Sequence, residues 1–366
     1  MIRYLQLTCF CLSLWAESPL YITLDETSVP KNTPFPLRPE RGENISAFSA
    51  TADRFHIGFY SGKYFRYTPD LSADGNLTAR KSQITLKTGG QELIFADDAL
   101  YAVTSQQPFE TSERLTPLSY RGPGVFSEEN IEVQKALQVG DHYIVATTVR
   151  DNAVLFLLNK EFKMMHHYEY TFSYYDAEVE DMHLLEDGTI LVAGMLHASY
   201  ANYRGFIMRI DINLNVLSSR VYENYGLFGN IHKETDGTYL LRFRGYKKSG
   251  VVSYRPATET LTELSSIDDI NLIDMASSGT GDLVGAGYRY IGKGGNRSDV
   301  PVLYCFNTKT HKTTITTIEG KNDTLQEIEY ANGNFFSPYV DADASGRSIL
   351  LVTVNPETCT PEKAGL

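Results

Sequence analysis

Short apolar runs separated by tight polar turns fill most of the chain, and the clearest group lies between Met182 and Tyr222. Met182–Leu185 leads into Asp187-Gly188, a dipeptide that favours a two-residue hairpin turn. Thr189–Met195 is almost wholly apolar, the pattern of a strand covered on both faces. In Gly205–Asp211, Phe206, Met208 and Ile210 alternate with Ile207, Arg209 and Asp211, the period of a strand. A turn at Asn213–Asn215 leads to Val216–Tyr222, which carries Ser218, Ser219 and Arg220. Apolar content falls from the second strand to the fourth, as expected of a four-stranded antiparallel sheet whose last strand meets water.

A single sheet of this kind cannot cover both of its faces, so the pattern predicts neighbours built the same way. The first-hairpin turn recurs at Ala52-Asp53, Asp97-Asp98, Gly140-Asp141, Asp187-Gly188, Asp236-Gly237, Thr280-Gly281 and Ser345-Gly346. Counted from Asp53, Asp97, Gly140, Gly188, Gly237, Gly281 and Gly346, the steps are 44, 43, 48, 49, 44 and 65 residues. Each turn precedes an apolar run, among them HYIVATTV, TILVAGM, DLVGAGY and SILLVTV. The third strand recurs as AVLFLLNKEF, GFIMRIDINLNVL, GVVSYRPATETL and VPVLYCFNTKTHK. The longest step contains a polar stretch, Glu319–Asn334, expected to form a long surface connection.

The segment DGTILVAG…GFIMRIDINLNVL resembles bacterial propeller repeats of the form DGGYILAG…WVVKLDxxGNVLW, and the likeness covers roughly residues 131–318. It implies an all-β chain: a single β-propeller of four-stranded antiparallel blades, whose radial repetition leaves only the outer strands in water. Seven blades is the preferred count. Six is the alternative, because the later half of Gln91–Asn130 (TSERLTPLSYRGPGVF) has no clean third strand. The resemblance is to an architecture and brings no catalytic residues with it.

Length alone, 366 residues, would allow two or three domains, but the repeat argues for one closed ring. The net charge of −12 disfavours a general nucleic-acid binder. No apolar run reaches the roughly 18 residues of a spanning helix. The start, MIRYLQLTCFCLSLWAES, resembles a secretory signal peptide, with a genuine N-terminal strand as the other reading. The domain reading is therefore a signal peptide over residues 1–16 and the propeller over residues 17–366, in a secreted, periplasmic or cell-envelope protein. After Gly346 only 20 residues remain, too few for the outer strands of a last blade. Leu20–Leu24 is expected to join that C-terminal blade and close the ring, hiding two exposed sheet edges. Pro30, Pro34, Pro36 and Pro39 would mark the crossing into the first blade.

In a propeller, loops joining second to third strands share a face with the connections between blades. Here those loops carry Lys63, Arg150, His197, Tyr203, Arg204, Lys247, Lys248, Lys293 and Arg297. On an acidic chain this face reads as locally basic, suited to an acidic glycan or a partner's carboxylates. The inter-blade connections add Tyr175, Asp176, Tyr225 and Asp269 nearer the channel, where rings beside carboxylates suit sugar recognition. Converging acids there could hold calcium, though no motif supports it, and no cofactor is expected. Paired carboxylates such as Asp176 and Asp269 could instead serve a carbohydrate-active hydrolase or lyase. Loops are polar whatever they do, so charge alone assigns neither role. No HExxH, GxSxG or GxxxxGK[ST] is present, which removes support for zinc-protease, hydrolase and phosphate-loop chemistry. His166-His167 are adjacent in a strand and point to opposite faces, which argues against a shared metal. Cys305 and Cys359 fall in neighbouring units and either bond, if the chain is exported, or remain two thiols. The sequence thus favours a non-enzymatic extracytoplasmic scaffold for a glycan or protein.

Overall fold

A computed structural model describes the backbone of residues 21–23, 45–50, 55–59, 63–71, 77–85, 92–96 and 99–103, and of residues 132–363 except 150–151, 160–163, 171, 173–175, 198–202, 292–297, 319–323, 326, 332 and 344–345. Side chains are described for most residues between 134 and 338 and for 352–361. All regular structure among these residues is β. After β1 (Tyr21–Thr23), a first sheet holds β2 (Ile45–Ala50), β3 (Phe55–Phe59), β4 (Lys63–Leu71) and β5 (Leu77–Thr85). The second sheet holds β6 (Glu92–Ala96) and β7 (Ala99–Val103), with β1 on the outer side of β7. The third is β8 (Glu132–Val139), β9 (His142–Val149), β10 (Asn152–Asn159) and β11 (Met164–Tyr170). The fourth is β12 (Asp176–Leu184), β13 (Ile190–His197), β14 (Tyr203–Ile210) and β15 (Val216–Tyr222). The fifth is β16 (Leu227–Lys233), β17 (Tyr239–Arg244), β18 (Lys248–Arg255) and β19 (Thr260–Asp268). The sixth is β20 (Ile270–Ser277), β21 (Asp282–Ile291), β22 (Ser298–Asn307) and β23 (Lys312–Thr317). The seventh is β24 (Thr324–Leu325), β25 (Glu329–Ala331), β26 (Asn334–Asp343), β27 (Gly346–Asn355) and β28 (Thr360–Lys363).

Consecutive sheets touch through their first strands, in the order β2, β6, β8, β12, β16, β20 and β25, and β25 meets β2 again. The sheets therefore stand in a closed ring. Why the second strand of each unit is apolar throughout is visible in β13. Ile190, Val192 and Leu196 face a core shared with the third sheet, while Leu191 and Ala193 face a core shared with the fifth. Alternate residues go to opposite neighbours, so a central strand has no solvent face. Further clusters join the fifth sheet to the sixth and the sixth to the seventh. Each fully buried Leu, Ile or Phe in these layers contributes roughly 1.5–3 kcal/mol.

Two sequence expectations change. The N-terminal strand pairs with β7, through Tyr21↔Val103 and Thr23↔Tyr101, rather than with the C-terminal sheet. The reason lies in the last unit. The polar stretch taken for a surface connection holds its innermost strand, β24 and β25, whose Leu325, Ile328 and Ala331 are buried. Gly333, at φ 78°, makes the first hairpin turn, as Gly188 and Gly237 do at 79° and 76°. The step from Gly281 to Gly333 is 52 residues, closer to the other intervals than the 65 counted to Gly346. The last sheet is thus supplied with all its strands from residues 324–363, and the second sheet, with two strands of its own among the described residues, offers β7 as an edge instead.

The sequence carries no sign of a bulge, yet one interrupts the innermost strand of most sheets. Register shifts fall between Ile45 and Ala47, Val133 and Lys135, Val179 and Asp181, Gly229 and His232, and Leu272 and Asp274. The seventh sheet breaks at the same place, between Leu325 and Glu329. A bulge frees backbone groups and re-aims side chains, and here they are used between sheets. Asp181 accepts the Ile231 N–H of the next sheet at 2.6 Å, and Asp274 accepts the Ile328 N–H of the next at 2.7 Å. Asn230 donates to Asp274 at 2.5 Å. Arg242, only 4% exposed, donates to Asn230 Oδ1 at 2.5 Å and the Leu272 carbonyl at 2.7 Å, with Glu180 at 3.4 Å. His232 Nε2 lies 2.7 Å from the Met275 carbonyl. These contacts form a polar belt that ties neighbouring sheets together close to the ring's centre.

Candidate functional site

Strand register decides which residues share an end of the ring. In the fourth sheet Asp176 opposes His197, His197 opposes Tyr203, and Gly205 opposes Tyr222. In the fifth, Leu227 opposes Arg244 and Lys248 opposes Asp268. The strand ends at His197 and Tyr203 and the second-to-third connection at 245–247 thus lie at the same end as the inter-sheet connections at 223–226 and 269. The expected grouping of Asp176, His197, Tyr203, Arg204, Tyr225, Lys247, Lys248 and Asp269 on one end follows. Arg150, Tyr175, Lys293 and Arg297 lie outside the described residues, as do residues 1–16. Lys63 begins β4, but its side chain is likewise outside.

Around Tyr203 the charges are matched. His197 Nδ1 lies 3.4 Å from Asp176 and Nε2 lies 3.4 Å from Glu178, and its ring packs 5.8 Å from that of Tyr203. Arg204 donates to Glu223 at 2.7 Å. Lys248 donates to Glu263 at 2.8 Å. Tyr225 donates to the same carboxylate at 3.3 Å and packs against Phe228 and Phe243, at 5.2 and 5.0 Å between ring centroids. Burial, then the Glu263 charge, pushes the Tyr225 phenol up. For Glu263, burial pushes the carboxyl up, but hydrogen bonds from Lys248 and Ser266 and the Lys248 charge outweigh it and hold it low. The Asp269 N–H donates to the Lys247 carbonyl at 2.7 Å, fastening the connection to the sixth sheet onto the loop of the fifth. At Arg204 and Lys248 this end is therefore paired and not simply basic, because carboxylates on adjoining strands and connections reach both cations.

Close backbone approach joins the two sheets here. The Gly205 N–H donates to the Tyr225 carbonyl. A Cβ built on Gly226 would lie 2.9 Å from the Arg244 carbonyl and 3.3 Å from the Tyr203 Cβ. Side-chain-free backbone is required where these chains cross. Tyr246, at the tip of the 245–247 loop, is 83% exposed, and Tyr203 is 42% exposed. Lys247 Nζ lies 5.8 Å from the Tyr246 ring centroid.

No protein-family model matches the chain, and no curated protein matches it. Solved structures do. The chain is similar to the β-propeller domain of Cps50 (Swd1) from Myceliophteria thermophila, at 11% identity and a TM-score of 0.50, over 84% of this chain and 99% of that domain. It is also similar to the extracellular domain of a putative hybrid two component system, BT4673, from B. thetaiotaomicron, at 13% identity and a TM-score of 0.50. That match covers 90% of this chain and 39% of the other, so the chain spans well under half of its length. The ring order of the sheets and these likenesses agree on the architecture.

The chain folds as a β-propeller.

The paired groups above lie at one mouth of the propeller, on the fourth and fifth sheets. Cys305 in β22 and Cys359 in the β27–β28 turn are joined by a disulfide, with Cα atoms 5.6 Å apart, which links the sixth and seventh sheets. His166 and His167 sit on the outer strand of the third sheet, opposite Leu157 and Phe156, their rings 6.3 Å apart. Among the described residues no group of three or more His, Cys, Asp or Glu side chains converges to hold a metal ion, and no helix is long and apolar enough to cross a membrane. Two contributors escaped the sequence reading. Tyr246 was passed over beside two lysines, and Glu263 lies 15 residues beyond its partner Lys248. An exposed aromatic at a loop tip was the available signal for the first. The second has none.

Proposed function

We infer that this seven-bladed propeller is an exported, non-enzymatic scaffold that binds a glycan or a protein at the mouth formed by blades four and five. The observation that carries the reading is that exposed Tyr203 and Tyr246 share one end of the ring with His197, Arg204, Lys247, Lys248, Asp176, Tyr225 and Asp269, on strand ends and connections held by the sheets. Propellers place variable loops on a fixed frame, and binding residues concentrate on such loops. The Cys305–Cys359 bond favours an oxidising compartment. The setting named for the BT4673 domain, extracellular, is of the same kind. Lys63, Arg150, Tyr175, Lys293 and Arg297 would extend the same face around the ring, and residues 1–16 would be removed on export.

The test is a panel of glycans and candidate protein partners offered to the purified chain, with product formation followed in the same samples. Binding without turnover supports the scaffold. Polysaccharide cleavage abolished by Asp176→Asn or Asp269→Asn would instead support the hydrolase or lyase reading. Asp176 lies 3.4 Å from His197 Nδ1, and Asp269 lies on the connection between the fifth and sixth sheets. The mass of the mature N-terminus tests export.

A further inference from the structure

We propose that the mouth of blades four and five is built for an uncharged oligosaccharide, stacked on Tyr203 and Tyr246. This rests on the scaffold reading above and narrows it. Three observations combine. First, both tyrosines are exposed where the fourth and fifth sheets adjoin, Tyr203 at the start of β14 and Tyr246 at the tip of the 245–247 loop. Tyr246 has most of its ring in water, and Tyr203 has nearly half. Aromatic rings held by a rigid frame present a flat apolar face beside a polar tip, which suits the C–H face of a sugar ring.

Second, glycine backbone links them. A Cβ built on Gly226 would stand 3.3 Å from the Tyr203 Cβ on one side and 3.6 Å from the Gly245 Cα on the other. Gly245 immediately precedes Tyr246. The contact between Tyr203 and the 245–247 loop thus runs through two glycines, which add no side chain of their own.

Third, two of the cations beside the rings are already paired. Arg204 is held by Glu223 at 2.7 Å and Lys248 by Glu263 at 2.8 Å. An anionic sugar or a partner's carboxylate would have to displace those carboxylates before it gained either cation. A hydroxyl does not, because it both donates and accepts. A guanidinium–carboxylate pair offers it a donor and an acceptor side by side. The site is therefore matched to many hydroxyls and little net charge.

The experiment is calorimetric or NMR titration of the full chain with uncharged gluco-, manno-, galacto- and xylo-oligosaccharides, and in parallel with oligogalacturonate and a heparin oligosaccharide. An uncharged oligosaccharide is expected to bind, and Tyr246→Ala and Tyr203→Ala each to weaken it about fivefold to tenfold. Tyr246→Phe should keep most of the affinity. Affinity should be nearly flat in salt. Tighter binding of the acidic oligosaccharides with a steep salt dependence overturns the proposal. So does oligosaccharide binding that is indifferent to both tyrosines, although the scaffold reading would then survive. Failure of every saccharide, with a protein partner lost on Tyr246→Ala, overturns the saccharide and keeps the scaffold. Turnover of a saccharide overturns both.

Discussion

Replacing Asp181 by Asn is expected to cost about 2–4 kcal/mol of stability. Asp181 is 8% exposed and sits at the bulge of β12. One carboxylate oxygen accepts the Met182 N–H at 2.8 Å, and the other accepts the Ile231 N–H of the next blade at 2.6 Å. Both oxygens are acceptors, so both backbone donors are served. An amide has one oxygen and one NH₂, and either orientation aims the NH₂ at a donor. One buried N–H is then left without an acceptor, at about 1–3 kcal/mol. The surviving bond loses its charge assistance, roughly another 1 kcal/mol. Losing Lys135, 3.8 Å away and partly exposed, adds little, and the smaller desolvation of a neutral side chain offsets part of the total. Guanidinium unfolding at neutral pH measures the change, with Asp187→Asn as the control. Asp187 lies in an exposed turn where Thr189 and Arg209 also have water, so that change should stay within about 1 kcal/mol. If Asp181→Asn lies within about 0.5 kcal/mol of wild type, or no lower than Asp187→Asn, the inter-blade clasp does not hold the ring as argued.

Other consequences are open to direct measurement. Reducing the Cys305–Cys359 bond, which encloses 54 residues of separation, should cost about 2–4 kcal/mol and lower the melting temperature reversibly; an unchanged melt would mean the bond adds no constraint. Gly194→Ala should destabilise severely or prevent folding, because a Cβ there would stand 2.0 Å from the Glu178 carbonyl and 2.7 Å from the Phe206 ring; a near-wild-type melt would refute that packing. Burial holds the His232 imidazole below its ordinary value of 6.5, and His183 likewise. The unfolded chain therefore takes up protons first, so this stability is full above about pH 6.5 and falls as pH drops towards the folded values. His232→Gln should flatten that fall between about pH 7 and pH 5, and an unchanged slope would count against it. Hydrogen bonds from their own turns hold Asp211 and Asp236 below the ordinary carboxylate range. Their contribution is present above about pH 3.8 and is lost as pH falls through the folded values; Asp211→Asn should lessen acid sensitivity in urea melts taken between about pH 5 and pH 3.

Period-two patterning was legible because each central strand serves two cores, and the hairpin glycines were legible because their turns need positive φ, as Gly188 and Gly237 show. The last unit misled for a physical reason. Asn332-Gly333 is a hairpin dipeptide too, but its preceding strand is short and interrupted, and its buried Leu325, Ile328 and Ala331 are spaced among polar residues. Ser345-Gly346, before the strongly apolar SILLVTV, outshone it. The bulges were invisible because an extra residue in a strand has no composition of its own. At the mouth, the sequence displayed the cations of the loops but not their pairing with Glu223 and Glu263, which strand register and chain crossing bring about. Charge counted along a chain says which groups are present, and only pairing says what they offer a ligand.

Hydrogen–deuterium exchange on the full chain, with and without a bound oligosaccharide, most directly tests whether one mouth of the propeller does the binding. Slowed exchange should concentrate in residues 203–206, 223–228 and 244–250. Protection confined to the opposite end, in the turns at 186–189, 211–215 and 234–238, would place the ligand elsewhere and contradict the assignment.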